Sequence, residues 1–168
     1  KDLKGAQVNA IEVSPHEPGT VYVAVAGYKM NDFRPHVYKV TQYGKRWRKI
    51  DNDLPADHFV RVVRADPERE GLLYAGTEGG LFVSFDDGDH WQSFNMNFPT
   101  VPITDLRVRQ GTLIAATQGR GFWALDELTV IRQLDDALAD KRLHVYAPKP
   151  TSLMRWGSWA GANEGANP

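Results

Sequence analysis

The chain has 168 residues, with 20 Lys and Arg against 21 Asp and Glu and a formal net charge of −1. That length holds one domain with a real core, and the balanced charge gives no global attraction for nucleic acid or an anionic membrane surface. The absence of Cys excludes disulfides, thiolate chemistry and Cys-ligated zinc, and no apolar run approaches the roughly 20 residues of a membrane-spanning helix.

The opening Lys1-Asp2-Leu3-Lys4-Gly5 lacks the layout of a signal peptide and reads as the interior of a longer polypeptide. Strands are predicted over 7–14, 20–27, 37–42 and 46–50, with an insertion at Tyr28 to His36. A second group follows over 59–65, 71–77, 80–86 and 90–94, its middle pair joined by a Gly79-Gly80 hairpin. A third group spans 103–109, 112–118, 121–126 and 128–134. Beyond it the pattern changes. Residues 135–141 are acidic and Ala-rich, suited to one helical turn, and Leu143 to Pro148 is a short strand that the proline stops. Residues 157–168 are of low complexity, which suits a linker or a segment that orders only against further structure.

The three groups are copies of one unit. Pro15, Gly19 and Tyr22 recur without a gap as Pro67, Gly71 and Tyr74, at a spacing of 52. Self-similarity at about this period marks arrays of supersecondary units. The sharpest signal is Ser84-Phe85-Asp86-Asp87-Gly88-Asp89-His90-Trp91, which has the form S-x-D-x-G-x-x-W. Asp86 and Asp87 are short acceptors for backbone N–H groups two residues on, Gly88 supplies positive φ, Ser84 satisfies a loose backbone group, and Trp91 covers the turn. Gln42-Tyr43-Gly44-Lys45-Arg46-Trp47 is a degenerate copy that keeps Gly44 and Trp47, and Asp126 stands at the box aspartate of the third unit. Four short strands per unit, repeated, predict an all-β chain: a partial β-propeller of about three four-stranded blades over 1–134 (7–50, 59–94 and 103–134), with an irregular C-terminal tail over 135–168 leading to a missing segment. Three blades leave sheet faces uncovered, so the rest of the ring is expected from the same polypeptide or from another chain.

These residues resemble the Asp-box (BNR) repeat propellers, and within them the sortilin-like group of large bacterial secreted proteins described as glycosyl hydrolases. The resemblance covers roughly 7–134 and is carried by Leu73 to Ser84, the box ending in Trp91, and Ala116-Thr117-Gln118-Gly119-Arg120-Gly121-Phe122-Trp123-Ala124-Leu125-Asp126. It implies the last blades of a propeller and an extracellular or periplasmic location. No cofactor is predicted, since no Gly-rich phosphate loop, nucleophile elbow or dinucleotide fingerprint is present. It does not imply an activity, because relatives include sialidases, xyloglucanases, sortilin receptors and photosystem assembly factors.

The chemistry is sparse. Five His are scattered without paired spacing, so no metal site is predicted. Arg61, Arg64, Arg107 and Arg109 on inner strands suit salt-bridged strand residues near a channel. A glycosidase needs two carboxylates about 5–10 Å apart; Asp32, Asp57, Glu78 and Asp105 are available, but no pair is demonstrated by spacing. Second-to-third-strand loops and blade-to-blade links share one face of a propeller. That puts Tyr28, Asp32, Phe33, Arg34, Glu78 and Arg120 forward as ligand-binding candidates, aromatic and charged groups suited to a sugar or a peptide. The expected role is a non-catalytic scaffold binding a protein or glycan, with no nucleic acid and no membrane span. The alternative is part of a glycoside hydrolase, sialidase- or xyloglucanase-like, acting on polysaccharide.

Overall fold

The computed structural model describes residues 5–134 and 142–150. The chain forms three antiparallel sheets in sequence order. The first holds β1 (Gln7–Val13), β2 (Val21–Gly27), β3 (Asp32–Thr41) and β4 (Arg46–Lys49); the second holds β5 (Val60–Ala65), β6 (Leu73–Thr77), β7 (Gly80–Ser84) and β8 (Gln92–Ser93). The third has β9 (Ile103–Arg109), β10 (Thr112–Thr117) and β11 (Phe122–Leu125). These are the partial propeller blades expected from the repeat. Among the described residues no helix is long and apolar enough to cross a membrane.

Each sheet buries its two faces against different neighbours. Tyr22, Ala24, Val37 and Ile50 of the first unit pack on Val63, Leu73, Ala75, Phe82 and Trp91 of the second. The other face of the second unit, with Val62, Tyr74, Leu81 and Val83, packs on Ile103, Leu106, Leu113 and Ala115 of the third. All residues of β6 and β7 are therefore buried, because alternate side chains leave a strand on opposite faces.

One backbone bond repeats in all three units. Gly19, Gly71 and Gly111 turn between the first two strands at φ 78°, 77° and 78°. Their carbonyls accept from Tyr43 at 3.0 Å, Asp87 at 2.8 Å and Leu128 at 2.9 Å, residues that follow the third strand. The left-handed conformation is open to glycine without steric cost.

The box turn differs in part from expectation. Ser84 Oγ accepts from the Gly88 N–H at 2.9 Å and donates to Asp86, whose carboxylate accepts from the His90 N–H at 2.9 Å, four residues on. Asp87 does not serve the turn. Its carboxylate reaches the first unit, accepting from Tyr22 Oη at 2.6 Å and Lys39 Nζ at 2.8 Å. Burial, and then the Asp87 charge, push the Tyr22 phenol well above its ordinary pKa. Nor does Trp91 fold over its own turn: it lies buried between units and donates Nε1–H to the Ile50 carbonyl at 2.8 Å. Trp47, at the same box position, is 60% exposed, since no sheet among the described residues precedes β1, and it donates to the Gly44 carbonyl instead.

Two further expectations fail. Residues 128–134 were expected as an outer strand; instead α1 (Thr129–Gln133) is helical. Tertiary contacts override the strand preference of its β-branched residues: Leu128 is buried under the third sheet, and Arg132 donates to Asp66. Asp66 is fully buried and also accepts from the Glu68 and Arg69 N–H groups and from Tyr74 Oη, while its carbonyl receives the His16 ring nitrogen at 2.8 Å. Leu143 to Pro148 carries no strand; Ala147 is held by Gln133. The helical turn expected over 135–141 and the tail over 157–168 lie outside the described residues.

The contrast between the two box tryptophans is measurable. Trp91→Ala should cost about 3–5 kcal/mol in urea unfolding, as for a buried aromatic. Trp47→Ala should stay within about 0.5 kcal/mol, as for an exposed position.

Candidate functional site

The three inner strands share an irregularity. In β1 Asn9 is the extra residue between the pairs Val8–Val25 and Ala10–Ala24. In β5 it is Arg61, between Val60–Thr77 and Val62–Gly76. In β9 it is Thr104, between Ile103–Thr117 and Asp105–Ala116. A bulge re-aims the side chain it leaves unpaired. All three of these side chains line one cleft of about 480 Å³, together with Gln7, Tyr28, Phe33, Phe59 and Glu78.

The aromatic wall of the cleft comes from the insertion and the link before β5. Tyr28, in a 3₁₀ turn over Tyr28–Met30, stacks on Phe59 with ring centroids 5.2 Å apart and planes 20° apart. Phe33 is 47% exposed beside them. The Arg61 guanidinium lies 5.3 Å from the Phe59 ring centroid, within cation–π range, and pairs with Glu78. Asn9 Nδ2 donates to the Val60 carbonyl at 3.1 Å, and Thr104 Oγ1 to the Ala116 carbonyl at 3.2 Å, so both bulge side chains are anchored. The cleft thus offers apolar ring surface beside one fixed ion pair and several amide and hydroxyl groups.

Of the six candidates named from the sequence, Tyr28, Phe33 and Glu78 line the cleft, whereas Asp32, Arg34 and Arg120 do not. The insertion is less of a loop than expected, since β3 starts at Asp32, paired with Gly27. Asp32 is occupied structurally: Arg34 donates Nε and Nη2 to it at 2.9 and 2.8 Å, and His36 Nε2 lies 3.0 Å away. The bonds from Arg34, reinforced by His36, hold the Asp32 carboxyl far below the ordinary carboxylate range. Arg120 sits in the β10–β11 hairpin, where its N–H donates to Thr117 Oγ1 and its carbonyl accepts from Trp123 Nε1. Arg61 carries the salt bridge expected of the inner-strand arginines; Arg64 does likewise with Glu12 and Asp105. Gln7, Asn9, Phe59 and Thr104 were not anticipated. Asn9 and Arg61 do stand at the spacing of 52 that aligned Pro15 with Pro67, so the repeat held that signal. Asp126 of the third box accepts from Thr112 Oγ1 at 3.0 Å. Among the described residues no cluster of three or more His, Cys, Asp or Glu is arranged to hold a metal.

Successive antiparallel sheets, packed face on face with their inner-strand bulges at one cleft, define part of a β-propeller. Solved structures of that architecture resemble it. They include an ancestral GH74 enzyme (23% identity, 68% of this chain and 14% of that one, TM-score 0.54) and the GH74 xyloglucanase from Xanthomonas campestris (18%, 74% and 21%, TM-score 0.54). YCF48 bound to D1 peptide is similar at 18% identity, over 75% of this chain and 38% of that one, with a TM-score of 0.52. The chain thus spans between 14% and 38% of the length of these proteins, and at such identities the likeness is one of fold. No protein-family model and no curated protein matches the sequence.

The Asp32 carboxylate makes a pH dependence. Its folded pKa lies below its unfolded value of about 3.9, so its stabilisation is complete above that value and is lost as pH falls through the folded one. The urea midpoint of the natural chain should exceed that of Asp32→Asn at pH 6, and the gap should narrow at pH 3.

Proposed function

We propose that the chain is a set of blades from a larger propeller that acts as a binding scaffold, holding a protein ligand as an extended segment in the cleft between Tyr28, Phe33 and Arg61. The convergence of three bulge side chains, one from each sheet, carries the reading, since repeated bulges spend ladder hydrogen bonds to aim Asn9, Arg61 and Thr104 at one place. Aromatic rings beside an arginine are the usual anchors of such contacts, and Gln7, Asn9 and Thr104 supply partners for a peptide backbone. YCF48, a structural neighbour, was solved with a D1 peptide, which supports a peptide as ligand class for this fold.

A glycan remains the second ligand class, on the ground that Tyr28 and Phe33 offer ring surface. The glycoside hydrolase reading has less support. Among the described residues Glu78 is the one carboxylate lining the cleft, and Arg61 engages it, whereas hydrolysis of a glycosidic bond requires two carboxyl groups.

Peptide and glycan arrays probed with the chain test this directly. Peptide hits should appear, and Phe33→Ala and Arg61→Ala should each weaken them about tenfold or more, the loss of a hot-spot residue. Arg120→Ala should leave them unchanged. Glycan hits without peptide hits would reassign the ligand; release of reducing sugar from a β-glucan, abolished by Glu78→Gln, would overturn the scaffold reading.

A further inference from the structure

A second groove, of about 1080 Å³, lies where β5 and β9 end, away from the cleft at their starts. The turn after β5, the β9–β10 hairpin, α1 and Lys149 line it. Its charged groups are Arg69, Arg109, Arg132 and Lys149 against Glu68 and Glu70. We propose that this groove binds a small organic anion with two or more carboxylate or phosphate groups, held by Arg69, Arg109 and Arg132.

Three observations carry the assignment. The first is how the arginines are held. The Arg132 side chain is nine-tenths buried; its Nε donates to Asp66 and its Nη1 lies 2.6 Å from the Glu68 carboxylate. Its Nη2 is buried with no hydrogen-bond partner among the described residues. A buried donor left unpaired costs about 1–3 kcal/mol, and more when charged, so an anionic oxygen supplied from the groove is stabilised there. Arg69 donates Nη1 to the Ile131 carbonyl at 3.0 Å and lies 5.1 Å from the Phe85 ring centroid, both neutral partners. Arg109 makes no ion pair among the described residues. The second observation is a departure from the repeat. Five residues on from the bulges at Asn9, Arg61 and Thr104 stand Ser14, Asp66 and Arg109. Ser14 and Asp66 each accept two backbone N–H groups and close their turns. Arg109 offers no acceptor, and Gln110 and Gly111 turn the chain at φ 51° and 78° instead. Arg69 stands where the first unit has Glu17, at the spacing of 52. Neither turn therefore needs its arginine. The third is chemistry. A guanidinium binds carboxylate or phosphate through paired N–H donors, and arginines from separate turns suit a molecule with more than one anionic group. Lys149 Nζ, 3.4 Å from Glu127, adds a shared cation, and Glu70 is the lining carboxylate that opposes a bound anion. The proposal is independent of what the cleft binds.

Citrate and pyrophosphate, titrated separately into the full chain at neutral pH and constant ionic strength, probe the groove, with NMR of backbone amides and arginine Nε–H groups as the readout. Saturable shifts are expected at the Gln110 and Gly111 amides and at Arg132 Nε–H, and none at Arg61 Nε–H in the cleft. The tighter of the two probes tells a carboxylate ligand from a phosphate one. Arg109→Gln should weaken binding about tenfold or more, the loss of one charge-assisted contact, with an unchanged urea midpoint. Glu70→Gln should tighten it, and Arg120→Gln, in the β10–β11 hairpin, should leave it as it is. Shifts that never saturate, that spread equally over all arginine side chains, or that persist undiminished in Arg109→Gln would each overturn the assignment.

Discussion

No sheet in this protein can bury itself. β6 and β7 place Tyr74, Leu81 and Val83 on one face and Leu73, Ala75 and Phe82 on the other, and all are buried. A sheet apolar on both faces is stable only when sandwiched, because exposed faces lose the burial free energy that offsets chain entropy. Face-to-face stacking of successive units follows from that constraint. It also explains why identical box positions differ: Trp91 meets a neighbour, whereas Trp47, with Ile11 and Val13, lies on the flank of the first sheet, exposed.

Apolar packing is not specific about register, and polar groups supply the specificity. Asp66 is the best example. It is buried, it closes its own turn through two backbone N–H groups, and it gathers His16 from the first unit and Arg132 from α1 after the third. Burial first, and the Asp66 charge next, raise the Tyr74 phenol far above its ordinary pKa, so its hydroxyl stays a donor. Asp87 does the same between the first two units through Tyr22 and Lys39. The bulges at Asn9, Arg61 and Thr104 show specificity used differently: each disrupts a ladder locally, and together they shape the cleft.

Much of the fold was legible in the chain. The strand pattern located the eleven strands of the described residues, although the first half of β3 was read as an insertion and two further strands were expected, and the spacing from Pro15, Gly19 and Tyr22 to Pro67, Gly71 and Tyr74 revealed the unit, because each recurrence marks a turn whose geometry few residues tolerate. The candidate site was half legible. Tyr28, Phe33 and Glu78 could be placed on one face because second-to-third-strand connections share a face of a propeller. Gln7, Asn9, Phe59 and Thr104 were not singled out: the spacing of 52 aligns Asn9 with Arg61, but that these positions are bulged is a property of the pairing between two strands.

By itself, then, the amino-acid order determined the periodic part of this protein: strand positions, turn glycines, the box turn from Ser84 to Gly88, and the all-β class. These are local, set by side-chain alternation and by backbone conformations open to few residues. Tertiary structure decided the rest. It turned Asp87 and Trp91 from turn residues into bonds between units, made a helix of Thr129–Gln133, and drew three bulges to one cleft. Each of those outcomes depends on a partner more than about ten residues away or on the competition between two partners, and the energy of such contacts exists only once the sheets have stacked.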